Sequence, residues 1–495
     1  LIAADAKRGL ATRVIAIDDA RAMAAFRGRK VEGVDDHKGA KKAIDAIDRK
    51  LKPHYILILG GPDVVPMQPL DNLMGMMLAE DGDGDDDAQI MSDLPYACDV
   101  GYSQDPADFQ GPSRVVGRLP DIPGARTPAY LVRLMGFAAK AKPLPAAAYD
   151  AWFGLSTETW ARSTTKTLKA IFGSAKGLNL SPPKGRRWSA RDLAPRLHFV
   201  NCHGGLNNPA YYGDDGNEQI RSLTSRQLDK LITPGTVLVA ECCYGAQLYD
   251  PRASDAETRG QLGIGLEYLR QGAFGVFGST TTAYGPEDDN DWADVICRVF
   301  AERVRAGASL GRAALEARIA YLKSHPLVEP TKLKTIAQFY LLGDPSIHPV
   351  DNPRAESAPI RVPTARMEQE LRARQRSHER TRLRTEGRVL AQSRRYLKRE
   401  GFSEAVQQQM LAIAEQAGMR AKLAAFFDIL GSKAAYDAGS RSEDATGAHK
   451  RVAVLMGKLG EASGDGKGHV VRRAVVIAQV EGDRIVGTPK IAFSK

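Results

Sequence analysis

Two hydrophobic patterns alternate along the first 350 residues. Short, mainly apolar runs occur at Thr12 to Ile17, Tyr55 to Leu59, Trp152 to Ser156, Leu197 to Cys202, Val237 to Ala240, Ala273 to Phe277 and Phe339 to Leu342. Between them lie segments whose apolar positions recur every three or four residues: from about Gly39, Thr127 to Lys142, Ser163 to Phe172, Gly263 to Gln271, Trp292 to Arg305 and Leu310 to Leu322. The first pattern predicts strands buried on both faces, as in a parallel sheet; the second predicts amphipathic helices that cover it. Their alternation predicts an α/β fold with a mostly parallel central sheet between helical layers.

The pattern changes after Val350. Between Arg361 and Glu400 thirteen Lys or Arg stand against five Glu, so this stretch holds +8 of the chain's net +10. It has helix-forming residues but little apolar periodicity, which predicts a solvated helix or linker. Ser403 to Leu430 reads as an amphipathic helix with Ser403 as N-cap, Val452 to Leu459 as a short apolar helix, and Arg473 to Val480 with Arg484 to Phe493 as a hairpin across Glu481-Gly-Asp. The expected division is a catalytic unit at 1–350, a basic helical linker at 351–400 and a small helical and β-hairpin region at 401–495.

At 495 residues the chain is long enough for more than one domain. Its five cysteines are Cys98, Cys202, Cys242, Cys243 and Cys297. An odd number with two adjacent and no zinc spacing is no disulfide framework, which predicts a reducing, cytoplasmic setting. No apolar run reaches the length of a bilayer span, and no membrane association is expected. The chain starts at Leu1 rather than Met, so a preceding segment is expected to have been removed.

The chemistry concentrates where two of the apolar runs end. One closes on His203-Gly204-Gly205, the next on Glu241-Cys242-Cys243-Tyr244-Gly245. Strand carboxyl ends are where α/β sheets carry their sites. A His ending one strand and a Cys ending the next supply a base and a nucleophile. Taken alone, a His-Gly or a Cys in an apolar strand is ordinary core; the pair is the informative feature.

This stretch resembles the caspase-like cysteine peptidases (caspases, legumains, metacaspases and gingipains), in which one strand ends in His-Gly and the following one in a small residue and Cys. Val237 to Gly245 aligns without a gap on the caspase pattern, with Cys243 at the nucleophile place and Glu241 two before it; Cys242-Cys-Tyr-Gly245 also fits the Cys-x-x-Gly of gingipains, which would make Cys242 the nucleophile. The gingipain catalytic domain is the nearest in pattern. Ser92-Asp-Leu-Pro-Tyr96 resembles its Ser-Asp-x-x-Tyr segment, Arg114 to Pro120 its apolar-Gly-Arg strand, Thr281 to Tyr284 the segment that walls its substrate pocket, and Phe339 to Ile347 its closing segment. The resemblance covers about residues 1–350. It implies a caspase-like three-layer sandwich, a Cys–His dyad of Cys243 and His203, and an oxyanion site at the N–H groups of Gly204 and Cys243. It further implies substrate-binding roles for Glu241, Asp93 and Tyr284. Acidic residues there would favour Arg, then Lys, before the scissile bond. The competing reading of Glu241 is an internal pair with Arg or Lys, that of Asp93 a turn or cap residue, and that of Tyr284 an ordinary half-buried tyrosine.

Two further segments bear on partners and ligands. Asp81, Asp83 and Asp85 alternate in an acidic, Gly-rich loop, a pattern that suits Ca²⁺. Position six of the corresponding calcium loop is Asp86 rather than Gly and position twelve is Ser92 rather than Glu, so a solvated acidic loop is the simpler reading and no cofactor is required. Asn207 to Asn217 is a polar loop with two aromatics, expected to rim the cleft. Protein substrates are the expected partners, with an activating protease or regulatory partner, and the basic stretch is a candidate for self-processing. Charge alone would suit nucleic acid there, but no aromatic interleaving or motif accompanies it. The alternatives to a peptidase are a catalytically silent caspase-like scaffold and a nucleic-acid-binding regulator.

Overall fold

A computed structural model describes residues 1–76, 85, 87–181, 187–214, 219–324, 330–352, 402–420, 451–459 and 473–494. The basic stretch 361–400 lies outside these. The apolar runs assemble into one eight-stranded sheet in the order Ile56–Leu59, Val116–Leu119, Phe339–Gly343, Gly275–Ser279, Val237–Ala240, Leu197–Asn201, Trp152–Ser156, Asn179–Leu180. Every neighbouring pair is parallel except Phe339–Gly343 with Gly275–Ser279. The fold is thus mixed α/β with a large, mostly parallel central sheet, as the apolar runs predict.

Successive side chains of each strand point to opposite faces, and both faces are dry. Leu197, Phe199, Val237, Val239, Phe277, Phe339 and Leu341 pack on one side with Ala293, Ile296 and Phe300 of helix Trp292–Arg305 and Ala313 and Ala317 of helix Leu310–Ser324. Val200, Leu238, Ala240, Val276, Tyr340 and Leu342 pack on the other with Tyr130 and Leu134 of helix Ala129–Lys140 and Ile264 and Leu269 of helix Ile264–Arg270. Each fully buried aliphatic or aromatic side chain stabilises by roughly 1.5–3 kcal/mol, so the two layers fix the register of the strands whose ends carry the chemistry.

A second, five-stranded sheet is built almost wholly from C-terminal residues, in the order Tyr284–Gly285, Arg484–Ser494, Arg473–Glu481, Arg451–Leu459, Met419–Arg420. The hairpin predicted across Glu481-Gly-Asp is present: Glu481 pairs with Arg484, and Gly482 takes φ 59° in the turn. The helix expected at Val452 to Leu459 is instead strand Arg451–Leu459. Ala453 and Leu455 are buried in one cluster, Val454 and Met456 in another, and an apolar run covered on both faces shows no periodicity by which to tell helix from strand. The helix starting after Ser403, whose side chain accepts from the Val406 N–H, spans Glu404–Gln416; Gly418 with φ 73° follows its end. Residues 421–430, into which the helix was expected to continue, lie outside the described ones.

Three other expectations change. Thr12 to Ile17 forms no strand; most of it is exposed, although Ile56–Leu59 is an edge strand of the sheet. Helix Pro330–Gln338, buried along its whole length, is an element the sequence pattern did not predict, because a helix buried all round has no polar face to mark it. The polar loop after His203 is a hairpin, Ala210–Asp214 against Gln219–Thr224. All five cysteines are free and buried. Among the described residues no helix is long and apolar enough to cross a membrane.

Candidate active site

Strand Leu197–Asn201 leaves the sheet through Cys202, and His203–Gly204 then joins an antiparallel ribbon in which Tyr212 faces His203 and Tyr211 faces Gly204. Asp214 lies two residues beyond Tyr212 and so on the same face, diagonal to His203. Its carboxylate accepts a short hydrogen bond from His203 Nε2–H and a second, of 2.6 Å, from Thr159 Oγ1. The Trp160 ring meets the imidazole edge-on, with centroids 4.6 Å apart. His203 is fully buried and Asp214 is 1% exposed. Sequence reasoning left the third member of the site open. The available signal was a carboxylate in the polar segment directly after the His; the cross-strand register that selects Asp214 was not visible.

The neighbouring strand, Val237–Ala240, delivers the two cysteines in opposite directions. Cys242 joins the apolar layer of Val200, Leu238 and Ala240, its sulfur 3.6 Å from the Val200 carbonyl. Cys243 turns instead toward the segment after strand Gly275–Ser279: its sulfur accepts from the Ala283 N–H at 3.3 Å and donates to the Ala283 carbonyl at 3.5 Å. Tyr244 follows with φ 52°, a left-handed backbone that costs roughly 1–2 kcal/mol in a non-Gly residue. Its N–H bonds to Thr281 O at 3.0 Å and its hydroxyl to Asp87 Oδ1 at 2.8 Å, which hold the turn.

Gly204 is where the two strand ends touch. A methyl group built on it would lie 1.8 Å from the Cys243 carbonyl oxygen, so no side chain fits. His203-Gly204 and Cys243 are therefore brought backbone to backbone. Burial pushes the Cys243 thiol up to about 12, and raises that of Cys242 well above the ordinary thiol range.

The expected specificity residues fall in different places. Glu241 is fully buried beside the Cys242-Cys243 turn, its N–H on Val200 O at 2.8 Å. Asp93 is not open to a substrate. Its carboxylate is held in bidentate fashion by Arg118, at 2.8 Å from Nε and 2.7 Å from Nη2. Nη1 of the same Arg118 is on the Gly60 and Val65 carbonyls. The pocket carboxylate implied by the resemblance is therefore closed on an internal arginine. Tyr284 is 1% exposed rather than half-buried, and its hydroxyl lies 3.3 Å from Asp85 Oδ2.

Asp85 belongs to a cluster that the sequence did not announce. Lys334, on helix Pro330–Gln338, makes a short ion pair with Asp85 and a 2.9 Å pair with Asp87. Asp87 also accepts from the Thr282 N–H at 2.8 Å, and the Lys334 ammonium lies 5.7 Å from the Tyr284 ring centre. Burial raises the Asp85 carboxyl to about 6. At Asp87 burial is outweighed by the Lys334 charge and by hydrogen bonds from Asp85 and Thr282, which lower it. Asp85, one of the three candidate Ca²⁺ ligands, is thus engaged by an ammonium; Asp81 and Asp83 lie outside the described residues. Among the described residues no group of three or more His, Cys, Asp or Glu is placed to hold a metal.

Comparison with known proteins agrees with the chemistry at these strand ends. Residues 198–350, which contain His203, Cys242 and Cys243, match the model of Peptidase family C25, the gingipain family, so the site lies in a caspase-like, cysteine-type peptidase domain. No curated protein matches the chain. Among solved structures, one titled "Structure of Protease" overlaps 92% of this chain and 87% of its own at 12% identity and TM-score 0.42. The Saccharomyces cerevisiae separase–securin complex overlaps 47% of this chain and 14% of its own at 17% identity and TM-score 0.30.

Proposed function

We propose that this chain is a cysteine endopeptidase that cleaves proteins after basic residues, with Cys243 as nucleophile and His203 as the proton-transfer group. The observation that carries this reading is the contact of Gly204 with the Cys243 backbone, which sets the His-Gly turn against the nucleophile turn, together with the His203–Asp214 pair.

The chemistry follows from these groups. The Cys243 thiol proton passes to His203, and the sulfur bonds to the scissile carbonyl carbon. Negative charge collects on the carbonyl oxygen, where the N–H groups of Gly204 and Cys243 are the donors. Collapse breaks the C–N bond as His203 gives its proton to the leaving amine. Water then attacks the thioester, losing a proton to His203, and the acid leaves while the thiol is restored. Asp214 holds the imidazole through Nε2–H and stabilises its cationic form, so proton transfer falls to Nδ1. The core position of Cys242 supports Cys243 over its neighbour. A basic side chain before the scissile bond is supported by the buried carboxylates around the nucleophile turn, Glu241, Asp85 and Asp87, with Tyr284 beside them. The basic stretch 361–400 would then offer bonds for self-processing.

Incubation with a peptide library tests the reading. Wild type should cut after Arg and Lys. Cys243→Ala and His203→Ala should each abolish cleavage, because the two act as a unit, whereas Cys242→Ala should leave most of it. Asp214→Asn should lower kcat on the order of 10²- to 10⁴-fold with KM little changed. A protein that labels with thiol probes but cuts nothing in any state would be a scaffold instead. Cys243-dependent fragments ending within 361–400 would show self-processing.

A further inference from the structure

The segment that touches the nucleophile continues into a strand edge. Ala283 holds the Cys243 sulfur, and the next two residues, Tyr284–Gly285, form the outermost strand of the five-stranded sheet. Their neighbour is the strand Arg484–Ser494, antiparallel, with Tyr284 opposite Ser494 and Gly285 opposite Phe493. That strand therefore advances toward Ala283, and so toward Cys243, as its residue number rises.

A peptide whose scissile carbonyl lies at the Cys243 sulfur must run its preceding residues past Ala283. The nearest backbone there with strand geometry is Tyr284–Gly285, and pairing to such an edge is how extended peptides are commonly held. We propose that this chain's own C-terminal strand, Arg484–Ser494, seated on the Tyr284–Gly285 edge beside Cys243, is a resident competitor of substrate. The inference rests on the peptidase reading of Cys243 and adds to it a built-in control.

Three observations support it. First, both catalytic segments lie beneath the C-terminal residues. Tyr284 and Trp292 are packed under Val454, Met456, Val475, Ile477 and Ala492. Trp160, whose ring rests on His203, shares a cluster with Phe402, Val406, Met410 and Phe493. Cys243 is 3% and His203 0% exposed. A buried sulfur cannot meet a protein substrate until something moves. Second, the strand is anchored at separate points: the Ser494 hydroxyl accepts from the Arg473 N–H at 2.8 Å, and Lys490 pairs closely with Asp291, the N-cap of helix Trp292–Arg305. Third, Lys334 already lies between the two carboxylates beside Tyr284, so a cation of the chain stands where a substrate's basic side chain would be drawn. Opening is then a competition: the affinity measured for substrate is the intrinsic one reduced by the fraction of molecules whose edge is open.

The test uses the full chain and two readouts: cleavage of a short fluorogenic peptide ending in Arg, and the rate at which iodoacetamide alkylates Cys243, mapped by mass spectrometry. Ser494→Pro removes a ladder N–H, and Lys490→Ala removes an anchor; neither touches the catalytic groups. Each, and more so the pair, should raise both the alkylation rate and kcat/KM, roughly tenfold or more for the pair. A synthetic peptide of residues 484–494 should inhibit the released variant competitively. Deletion of 484–495 should act like the double variant; if that chain does not fold, the two point variants and the added peptide decide. Faster alkylation with no peptide cut would sink the peptidase reading and leave the edge assignment standing. Cleavage by wild type that equals that of folded released variants, with alkylation unchanged, would overturn the occupied edge and leave the peptidase reading intact. Non-competitive inhibition by the added peptide would also overturn it.

Discussion

Two buried clusters of carboxylate and cation are built on different plans. Asp93 and Arg118 are one acid and one base. The guanidinium is bidentate to the carboxylate and gives its remaining Nη1 contacts to two backbone carbonyls. The cluster is neutral, and four hydrogen bonds hold its guanidinium. Asp85, Asp87 and Lys334 are two acids on one base, tied to the Cys243–Tyr244 turn through the Tyr244 hydroxyl and to the Ala283 segment through the Thr282 N–H. A closed neutral pair leaves no charge over. An unbalanced cluster beside Cys243 retains a use for one more cation or one more proton. The difference shows why the identity of an acidic residue in a motif-like segment did not reveal its task.

The neutral pair is the more sensitive to substitution. Asp93→Ala leaves the fully buried Arg118 without its acid and should destabilise by about 3–5 kcal/mol, read by denaturant unfolding. The ratio of kcat/KM for Arg and neutral substrates should stay as in wild type in the folded fraction; a selective loss of Arg cleavage would restore Asp93 to the pocket. Lys334→Met should cost less, roughly 2–3 kcal/mol at pH 8, and less again at pH 5, because Asp85 can take a proton in place of the lost ammonium.

Smaller effects sharpen the contrast at the unbalanced cluster. Asp87→Asn removes one acceptor and one charge, and should lower the preference for Arg over neutral substrates by about tenfold. The same substitution also loosens the Tyr244 contact, so kcat for neutral substrates is the internal reference. The smallest effect is in pH. Burial holds the Asp85 carboxyl at about 6, above its ordinary 3.8, with Lys334, Asp87 and the Tyr284 hydroxyl facing it. A carboxyl raised in the folded state takes up its proton there first. Its contribution to stability is fully present below about 4 and is lost as pH rises through about 6. The charge that attracts a basic side chain has the opposite course, so preference for Arg should fall a few-fold as pH drops below about 6. Asp85→Asn should flatten both profiles, and a wild-type profile already flat from pH 5 to 8 would count against this account.

The layers and the paired strand ends were legible in the residues, because each rests on local rules. Apolar runs of strand length, helical spacing between them and reactive residues at run ends give the α/β class, and strand Val237–Ala240 together with His203-Gly204 gives the site. Adjacent residues in an extended chain point opposite ways, but which of Cys242 and Cys243 faces the core depends on what packs there. Val452 to Leu459 was misread for the same reason: burial on both faces erases the period.

What the sequence determined by itself was thus the set of short-range commitments: strand and helix periods, the Ser403 cap, the Glu481-Gly-Asp turn, and the His-Gly and Cys-Cys ends. Only the tertiary structure decided the pairings across long separations. Asp214 meets His203 through a cross-strand diagonal, Arg118 takes Asp93 out of reach, Lys334 reaches Asp85 and Asp87 from a helix about 250 residues away, and Ser494 comes to lie opposite Tyr284. Each of these is set by which buried charge or open edge a folded chain brings within bonding distance. A buried charge without a partner is costly enough that some partner must be found, but local sequence does not say which one.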